Sequence, residues 1–210
     1  MMEQKLRKAI VCAGASLFQR GYSVGTAGNI SVRLSDAQIL ATPTNSCLGS
    51  LDENLLSSVD MNGTLIGGAD MSKEIPFHLE LYRRRPDCGA VVHLHSTWLT
   101  ALSCLKHEDP DNIIRPFTPY YVMKVGRMPL IPYFKPGSPK IAEALARHAA
   151  SANAFLLANH GPVVIGRTLE EAVATLEELE ETAKLFFILQ GQPIHYLSLE
   201  EIAELQKKYE

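Results

Sequence analysis

The sequence predicts an α/β fold in which one mixed, mainly antiparallel sheet lies between two layers of helices. Segments with helical periodicity alternate with short apolar runs typical of strands. Several of these runs are joined by short turns, which argues against the all-parallel sheet of a Rossmann fold. The 210 residues, 46% of them hydrophobic, suffice for one sizeable core but not for two. We therefore expect a single domain over residues 1–210.

The first predicted element is an amphipathic helix that ends near Arg20-Gly21. Its apolar residues recur at helical spacing, at Leu6, Ile10, Ala13, Leu17 and Phe18. Basic residues before such an apolar run also occur in signal peptides, but the periodicity favours a helix of the folded domain. Because no run approaches the ~20 apolar residues of a membrane span, we expect a cytoplasmic protein with no membrane partner.

Turn and cap signals predict the remaining elements. In the first half we expect a strand that ends near residue 33, a strand at 39–41, a short helix after 51–52, a hairpin turn at 62–63 and a helix over 73–85. In the second half we expect strands at 90–95, 120–132, 154–159 and 163–165, and helices over 97–105, 138–150, from 168 to about 190, and from 198. Ser72 and Ser96 are the expected N-caps of two helices, and Thr168 and Ser198 begin capping boxes.

Net charge and cysteine spacing exclude several classes of function. The formal net charge is −3, whereas a nucleic-acid-binding protein needs a basic surface. The four cysteines do not form a C-x-x-C pair, which argues against a thiolate metal site or a redox pair. We expect no nucleic-acid partner, and four reduced thiols in a cytosolic protein.

Three histidines form the most informative pattern in the chain. His93 and His95 lie in the apolar strand A-V-V-H-L-H, where alternation directs both side chains to one face. His160, in N-H-G, can supply a third imidazole from another strand end. Three histidines leave a coordination position open for a carboxylate, a water or a substrate, as in a catalytic metal site. The alternative is a pair of buried histidines hydrogen-bonded to backbone carbonyls.

Glu74 stands in the first turn of the predicted helix over 73–85. A glutamate there commonly serves only the helix dipole. It can also reach a metal ion or act beside it as a general acid or base. His78, four residues further along, shares its helix face, and we interpret it as structural.

Two loops and a predicted helix start suggest an anion site. The glycine-rich loop 25–29, the loop 42–45 and Ser72-Lys73 offer backbone N–H groups and the positive end of a helix dipole. Each fragment alone is more often a plain turn. Tyr120 and Tyr121 adjoin a loop, where a phenol can donate a proton or simply pack within a strand.

In this order, G-N-I-S-V-R, T-P-T, S-K-E…F-H, A-V-V-H-L-H and L-A-N-H-G-P resemble the class II aldolase/epimerase superfamily over residues 5–190. The resemblance implies one Zn²⁺ per subunit, held by His93, His95, His160 and Glu74, with Glu74 also the catalytic acid/base. It implies a phosphate and substrate pocket formed by Gly28, Asn29, Thr44, Asn45, Ser72 and Lys73. Asn45 stands where relatives often have glycine, and asparagine tolerates a positive φ better than most residues.

Longer stretches, including T-P-T-N-S-C-L-G-S-L-D and I-R-P-F-T-P-Y, look like the 3-oxo-tetronate 4-phosphate decarboxylases. This resemblance implies loss of CO2 from a phosphorylated sugar acid through a metal-stabilised enediolate, with dihydroxyacetone phosphate as product. It also implies a homotetramer with active sites between subunits. Tyr120, or else Tyr121, would be the proton donor to a neighbouring subunit, and Lys73 would pair with the phosphate or the departing carboxylate.

Three alternatives to the decarboxylase stay open at this point. A sugar-phosphate aldolase or 4-epimerase would use the same enediolate chemistry, and a methylthioribulose-phosphate dehydratase would share the ligands. An adducin-like scaffold would share the fold without catalysis. Imidazole and carboxylate ligands also accept manganese, iron or cobalt.

Overall fold

The computed structural model describes residues 2–207 and confirms the predicted α/β class with a mixed, mainly antiparallel sheet. The strands of the described residues are β1 Asn29–Ser35, β2 Gln38–Ala41, β3 Ser57–Asp60, β4 Leu65–Gly67, β5 Ala90–His93, β6 Leu130–Ile131, β7 Ala154–Leu157 and β8 Gly161–Gly166. They form one sheet in the order β4-β3-β2-β1-β5-β8-β7-β6. All neighbouring strands are antiparallel except β6 and β7, which are parallel.

Helices cover both faces of the sheet and give the predicted three layers. The helices are α1 Met2–Gln19, α2 Ile75–Arg84, α3 Thr97–Ser103, α4 Pro119–Lys124, α5 Pro139–His148, α6 Leu169–Ile188 and α7 Leu199–Lys207. One apolar cluster lies between the sheet and α1, α3, α4 and α6, and a second lies between the sheet and α2 and α5. Because successive strand residues face opposite ways, Val92 joins the first cluster and Val91 the second. None of the helices within residues 2–207 combines the length and apolarity needed to cross a membrane.

Several local predictions are confirmed. The N-terminal helix buries Ile10 and Leu17, two of the residues that define its predicted apolar face. The turn at 62–63 joins the antiparallel strands β3 and β4. At α7, Glu201 N donates to Ser198 Oγ at 3.2 Å and Ser198 N donates to Glu201 Oε2 at 2.7 Å, which is a complete capping box.

The strand predicted over 120–132 is wrong, because the chain there forms α4 and only the two-residue strand β6. Thr118 Oγ1 accepts a hydrogen bond from Tyr121 N, and Pro119 occupies the first helical turn. An N-cap threonine followed by proline is a strong helix start, and it outweighs the strand preference of aromatic residues. The short helix expected after 51–52 is replaced by a 3₁₀ turn at Leu48–Ser50.

The helix predicted over 73–85 begins two residues later, at Ile75, with Glu74 in the N-cap position. Ser72 Oγ still accepts a hydrogen bond from the chain, from Glu74 N at 3.3 Å. This hydrogen bond holds the turn that brings Glu74 to the start of α2.

The central strands β1, β5 and β8 bring three chain segments to one edge of the sheet. Asn29 opens β1 and pairs with His93, which ends β5 two residues before the predicted end. His93 in turn pairs with Val163 of β8, a strand that begins directly after His160. The registers therefore place residues distant in sequence at neighbouring positions along this edge.

Candidate active site

The three predicted histidines meet at this edge. His93 ends β5, His95 lies in the following segment, and His160 lies in the turn between β7 and β8. One ring nitrogen of each lies within 4.8 Å of the others. His93 Nε2 and His95 Nε2 are 3.1 Å apart. The structure thus brings together side chains that are up to 67 residues apart in sequence.

Glu74 closes the fourth side of this cluster. Its carboxylate Oε2 is 3.5 Å from His93 Nε2, and Oε1 is 3.4 Å from His160 Nε2. Only 7% of the residue is exposed. A carboxylate with one oxygen towards each of two imidazoles is placed to share a metal ion with them.

The donor set fits a single metal ion. Tetrahedral ligands at 2.0–2.1 Å from a metal lie about 3.4 Å from one another, close to the observed 3.1, 3.4 and 3.5 Å. His93 Nδ1 lies 2.8 Å from the carbonyl oxygen of Pro162. Because only a ring N–H can donate to that oxygen, Nδ1 carries the proton and Nε2 offers its lone pair to the cluster.

The electrostatics of the cluster also suit a metal ion. Burial lowers the pKa of His93 to about 4, although the charge of Glu74 opposes this shift. Burial likewise lowers the pKa of His95 and of His160. For Glu74 burial acts in the opposite direction, but the charge of His93 and a hydrogen bond from Asn29 outweigh it, so the pKa is lowered. At neutral pH the imidazoles are neutral and the carboxylate is ionised, as metal ligands must be.

Two residues predicted for the phosphate pocket, Gly28 and Asn29, contact residues of the cluster. Gly28 has a φ of +87°, and a Cβ there would lie 2.8 Å from the carbonyl oxygen of His93. Asn29 Nδ2 donates to Glu74 Oε2 at 2.7 Å, and Asn29 Oδ1 accepts from His78 Nε2 at 2.6 Å. Glycine at position 28 therefore permits the close approach of β1 and β5, and the Asn29 amide holds Glu74.

One of the two loops expected to form an anion site, 42–45, lies beside the segment that leads to Ser72-Lys73. Pro43 forms an isolated bridge with Met71, and Thr44 N donates to the carbonyl oxygen of Asp70 at 2.8 Å. Thr44 and Asn45 are exposed. Asn45 has a φ of +55°, which agrees with the expectation that asparagine can replace a glycine of the relatives here.

Ser72 and Lys73 connect this segment to Glu74 of the cluster. Ser72 is half-buried and precedes Glu74 in the same turn. The stem of Lys73 lies against Gly137, and its ammonium charge contributes to lowering the pKa of His160. Lys73 is therefore an exposed cation close to the cluster, and a phosphate role for these residues stays a prediction.

The two tyrosines differ sharply in their surroundings. Tyr120 is 57% exposed and lines a surface cavity with Cys88 and Arg167. These two residues lie beside the ends of β5 and β8 that are opposite to the histidines, so Tyr120 does not join the cluster of its own chain. Tyr121 is fully buried, and its hydroxyl donates to Asn112 Oδ1 at 3.0 Å.

Sequence reasoning missed Glu180 of α6, which is 5% exposed. Its carboxylate accepts hydrogen bonds from Ser96 Oγ at 2.7 Å, Trp98 N at 2.8 Å and Leu99 N at 3.0 Å. Ser96 is the N-cap residue of α3, as predicted, but its side chain does not accept from the helix, because Glu180 accepts the N–H hydrogen bonds and Ser96 itself donates to Glu180. One signal was available, since Glu180 falls four residues after buried Leu176 and thus on the buried face of α6.

This chain is similar in sequence to proteins of a known family. The family model for the class II aldolase and adducin N-terminal domain matches residues 8–187. The 3-oxo-tetronate 4-phosphate decarboxylase of Escherichia coli strain K12 is 58% identical over 205 residues, which are 98% of this chain and 97% of that protein.

Solved structures agree with this match. The crystal structure of YgbL from Escherichia coli superimposes with a TM-score of 0.96 at 57% identity and covers 98% of this chain and 100% of that chain. An L-fuculose 1-phosphate aldolase superimposes with a TM-score of 0.86 at 28% identity and covers 98% and 96% of the two chains. The fold is thus shared with YgbL and with an L-fuculose 1-phosphate aldolase.

Proposed function

Because this chain belongs to the class II aldolase and adducin N-terminal domain family, we propose that it is a metal-dependent 3-oxo-tetronate 4-phosphate decarboxylase of sugar-acid catabolism in the cytoplasm. The Escherichia coli relative of that name supports the choice of substrate. The observation that carries the proposal is the placement of an ionised Glu74 against three neutral imidazoles. An adducin-like scaffold would have no need of such a donor set.

The substrate is a 3-oxo acid, in which the ketone at C3 is the natural acceptor of electrons from the neighbouring C1–C2 bond. When that bond breaks, CO2 leaves and its electron pair forms the C2–C3 double bond of an enediolate. A proton delivered to C2 then gives dihydroxyacetone phosphate. The protein must therefore hold the carboxylate and phosphate in place, stabilise negative charge at the C3 oxygen and deliver one proton.

His93, His95, His160 and Glu74 would hold the metal, which we propose to be Zn²⁺ at one ion per subunit. When bound there, the ion supplies Lewis-acid polarisation of the substrate carbonyl. Glu74, ionised and hydrogen-bonded through one oxygen only, is the group of this chain that can take a proton from the C2 hydroxyl and return one.

Phosphate binding is assigned to the exposed loop residues Thr44 and Asn45 together with Ser72 and Lys73. The charge of Lys73 acts on His160 of the cluster, and it would pair with the phosphate or with the carboxylate that leaves. The Asn29 side chain already bonds to Glu74 and His78, so its contribution to the pocket would come from its main chain, beside Gly28.

The proton at C2 is assigned to Tyr120 of a neighbouring subunit in a homotetramer. Tyr120 is exposed at a point remote from its own cluster, which is the placement that a residue serving another subunit requires. Tyr121 is unsuitable, because its buried hydroxyl is committed to Asn112.

The proposal is tested by incubating the purified protein with 3-oxo-tetronate 4-phosphate and following dihydroxyacetone phosphate. Activity lost with a chelator and restored by Zn²⁺, together with one Zn²⁺ per chain by elemental analysis, would support it. Glu143→Gln, which alters an exposed glutamate of α5, serves as the control for Glu74→Gln.

Two other outcomes would assign the protein differently. Cleavage of L-fuculose 1-phosphate by a metal-loaded sample that does not decarboxylate the tetronate would establish an aldolase. A preparation that never retains a metal ion and turns over neither substrate would indicate a scaffold.

A further inference from the structure

A line of buried polar side chains leads from Glu74 into the interface between α2 and β1. It consists of Asn29 and Ser31 on the strand, and of His78 and Tyr82 on the helix. All four are at most 4% exposed, which is rare for polar groups unless they are hydrogen-bonded. Of the four, Asn29 hydrogen-bonds to Glu74 and the other three bond within the line, so the proposed chemistry leaves His78, Ser31 and Tyr82 unused.

The line exists because helix and strand periodicities match here. Glu74, His78 and Tyr82 stand at i, i+4 and i+8 and share one face of α2, while Asn29 and Ser31 stand at i and i+2 on one face of β1. Four helical residues rise about 6 Å and two strand residues about 6.6 Å, so the two rows keep step with each other. Each strand residue therefore meets the helix residues on either side of it.

The hydrogen bonds of this line have one consistent direction, which starts from the ionised carboxylate. Glu74 Oε2 can only accept, so Asn29 donates from Nδ2 at 2.7 Å and presents Oδ1 to His78. His78 Nε2 must then donate to Oδ1 at 2.6 Å, which leaves Nδ1 as an acceptor for Ser31 Oγ at 2.8 Å. Because the Ser31 proton is committed to His78, the Tyr82 hydroxyl donates to Ser31 Oγ at 2.9 Å.

We propose that His78 is a positioning residue for the metal centre, which fixes the tilt of the Glu74 carboxylate by holding the Asn29 amide in a single orientation. With Oε2 held by Asn29, the carboxylate faces His93 with Oε2 and His160 with Oε1. If the amide rotated, its oxygen would face the carboxylate and repel it. Ser31 and Tyr82 act one and two steps further back, by holding His78 in the tautomer that donates from Nε2.

This inference rests on the proposed function only in so far as Glu74 binds a metal ion, so it can be tested without substrate. The probe is Co²⁺ titrated into metal-free protein, with affinity and the visible absorption bands as readouts. His78→Leu should weaken Co²⁺ binding about 10- to 100-fold, as loss of a group behind a metal ligand does. It should also shift the absorption bands, because one ligand has lost its fixed orientation.

Three further variants separate positioning from a general loss of stability. His78→Gln keeps a donor towards Asn29 and should restore most of the affinity. Ser31→Ala and Tyr82→Phe should give progressively smaller losses of Co²⁺ affinity. If His78→Leu does not fold, these two variants still test the inference. Leu79→Ala removes a buried apolar side chain from the same helix without touching the line, and it should lower the melting temperature but leave the Co²⁺ bands unchanged.

Wild-type affinity and bands in both His78→Leu and Ser31→Ala would overturn the inference. So would an equal loss of affinity in Leu79→Ala. If wild-type protein binds Co²⁺ but decarboxylates nothing, the proposed function fails, while the ordered loss along His78, Ser31 and Tyr82 would still establish the positioning role. With an active enzyme, the same order should appear in kcat and not in KM.

Discussion

Glu74 and Glu180 are both buried glutamates, yet their carboxylates have opposite surroundings. Glu180 receives three donors, one hydroxyl and two backbone N–H groups at the start of α3. Glu74 receives one donor, from Asn29, and its remaining acceptor positions face imidazole nitrogens at 3.4 and 3.5 Å. Burial alone therefore does not distinguish the two residues.

The difference lies in how many hydrogen bonds each carboxylate has left to make. A buried carboxylate whose acceptor sites are occupied is a structural element, because any new partner would have to displace an existing one. A buried carboxylate with acceptor sites open towards unprotonated nitrogens is costly unless a cation or a proton joins it. This contrast predicts that Glu74 serves activity and that Glu180 serves stability.

Replacement of Glu74 should have the largest effect. Glu74→Gln removes the charge proposed to bind metal and the group proposed to move the proton, so kcat for the tetronate should fall about 10²- to 10⁴-fold. The free energy of unfolding of metal-free protein should change little, because the imidazoles that face this charge are neutral and the glutamine oxygen can still accept from Asn29 Nδ2. Steady-state assays and urea unfolding measure the two quantities. An active Glu74→Gln variant would break the contrast between the two glutamates.

The second largest effect should be a fall in the free energy of unfolding at acidic pH, caused by the buried histidines around Glu74. In metal-free protein burial lowers the pKa of His78 to about 3 and that of His93 to about 4, whereas an unfolded imidazole has a pKa of about 6.5. Below pH 6.5 the unfolded chain therefore binds protons that the folded chain excludes, and the free energy of unfolding falls as the pH drops. At about pH 5 each of these histidines should have cost about 2 kcal/mol.

Urea unfolding in a chelator, between about pH 7.5 and pH 5, tests this dependence. The groups that donate to Glu180 do not titrate in that range, so they add no slope. Leu79→Ala, which removes a buried side chain that does not titrate, should lower the free energy of unfolding but keep the wild-type slope. A stability that stays flat through this range would contradict the neutral state assigned to the buried imidazoles.

Replacement of Glu180 should cost stability and not chemistry. Glu180→Gln places an NH2 group against N–H donors at the start of α3, so the free energy of unfolding should fall by about 2–3 kcal/mol. Below the melting transition kcat should fall far less than in Glu74→Gln. Chemical denaturation and assays at low temperature give both numbers. Full stability in Glu180→Gln would show that the three hydrogen bonds of this carboxylate are not what holds α3.

The sequence predicted which histidines meet in the cluster better than it predicted the hydrogen bonds that hold the surrounding elements. H-x-H on a strand and N-H-G at a turn are local patterns, so His93, His95 and His160 could be identified from the residue types alone. The contact of Glu180 with the start of α3 could not be identified in this way. Glu180 lies 84 residues from Ser96 in the chain and meets it only because α6 packs on α3.

The same limit explains the errors in the fold. The class of fold and the order of most elements follow from periodicity, which depends on neighbours in the chain. The aromatic and β-branched residues of 120–132 predict a strand. Thr118-Pro119, however, is a recognisable helix start, and α4 begins there. For His78, sequence reasoning suggested a structural role, but its partners Asn29 and Ser31 depend on the pairing of α2 with β1.

The smallest effect should come from the phenol that has a committed hydrogen bond. Burial raises the pKa of Tyr121, and its hydroxyl donates to Asn112, so Tyr121→Phe should lower the free energy of unfolding by about 1 kcal/mol and leave kcat unchanged. The opposite result is expected for the exposed Tyr120. Tyr120→Phe should leave the free energy of unfolding within about 0.5 kcal/mol of wild type, but it should lower kcat. Parallel unfolding curves and assays of the two variants decide between them. If only Tyr121→Phe lowered kcat, the comparison would fail for the tyrosines. A free hydrogen-bonding site would then distinguish the catalytic glutamate from the structural one, but it would not distinguish the two tyrosines.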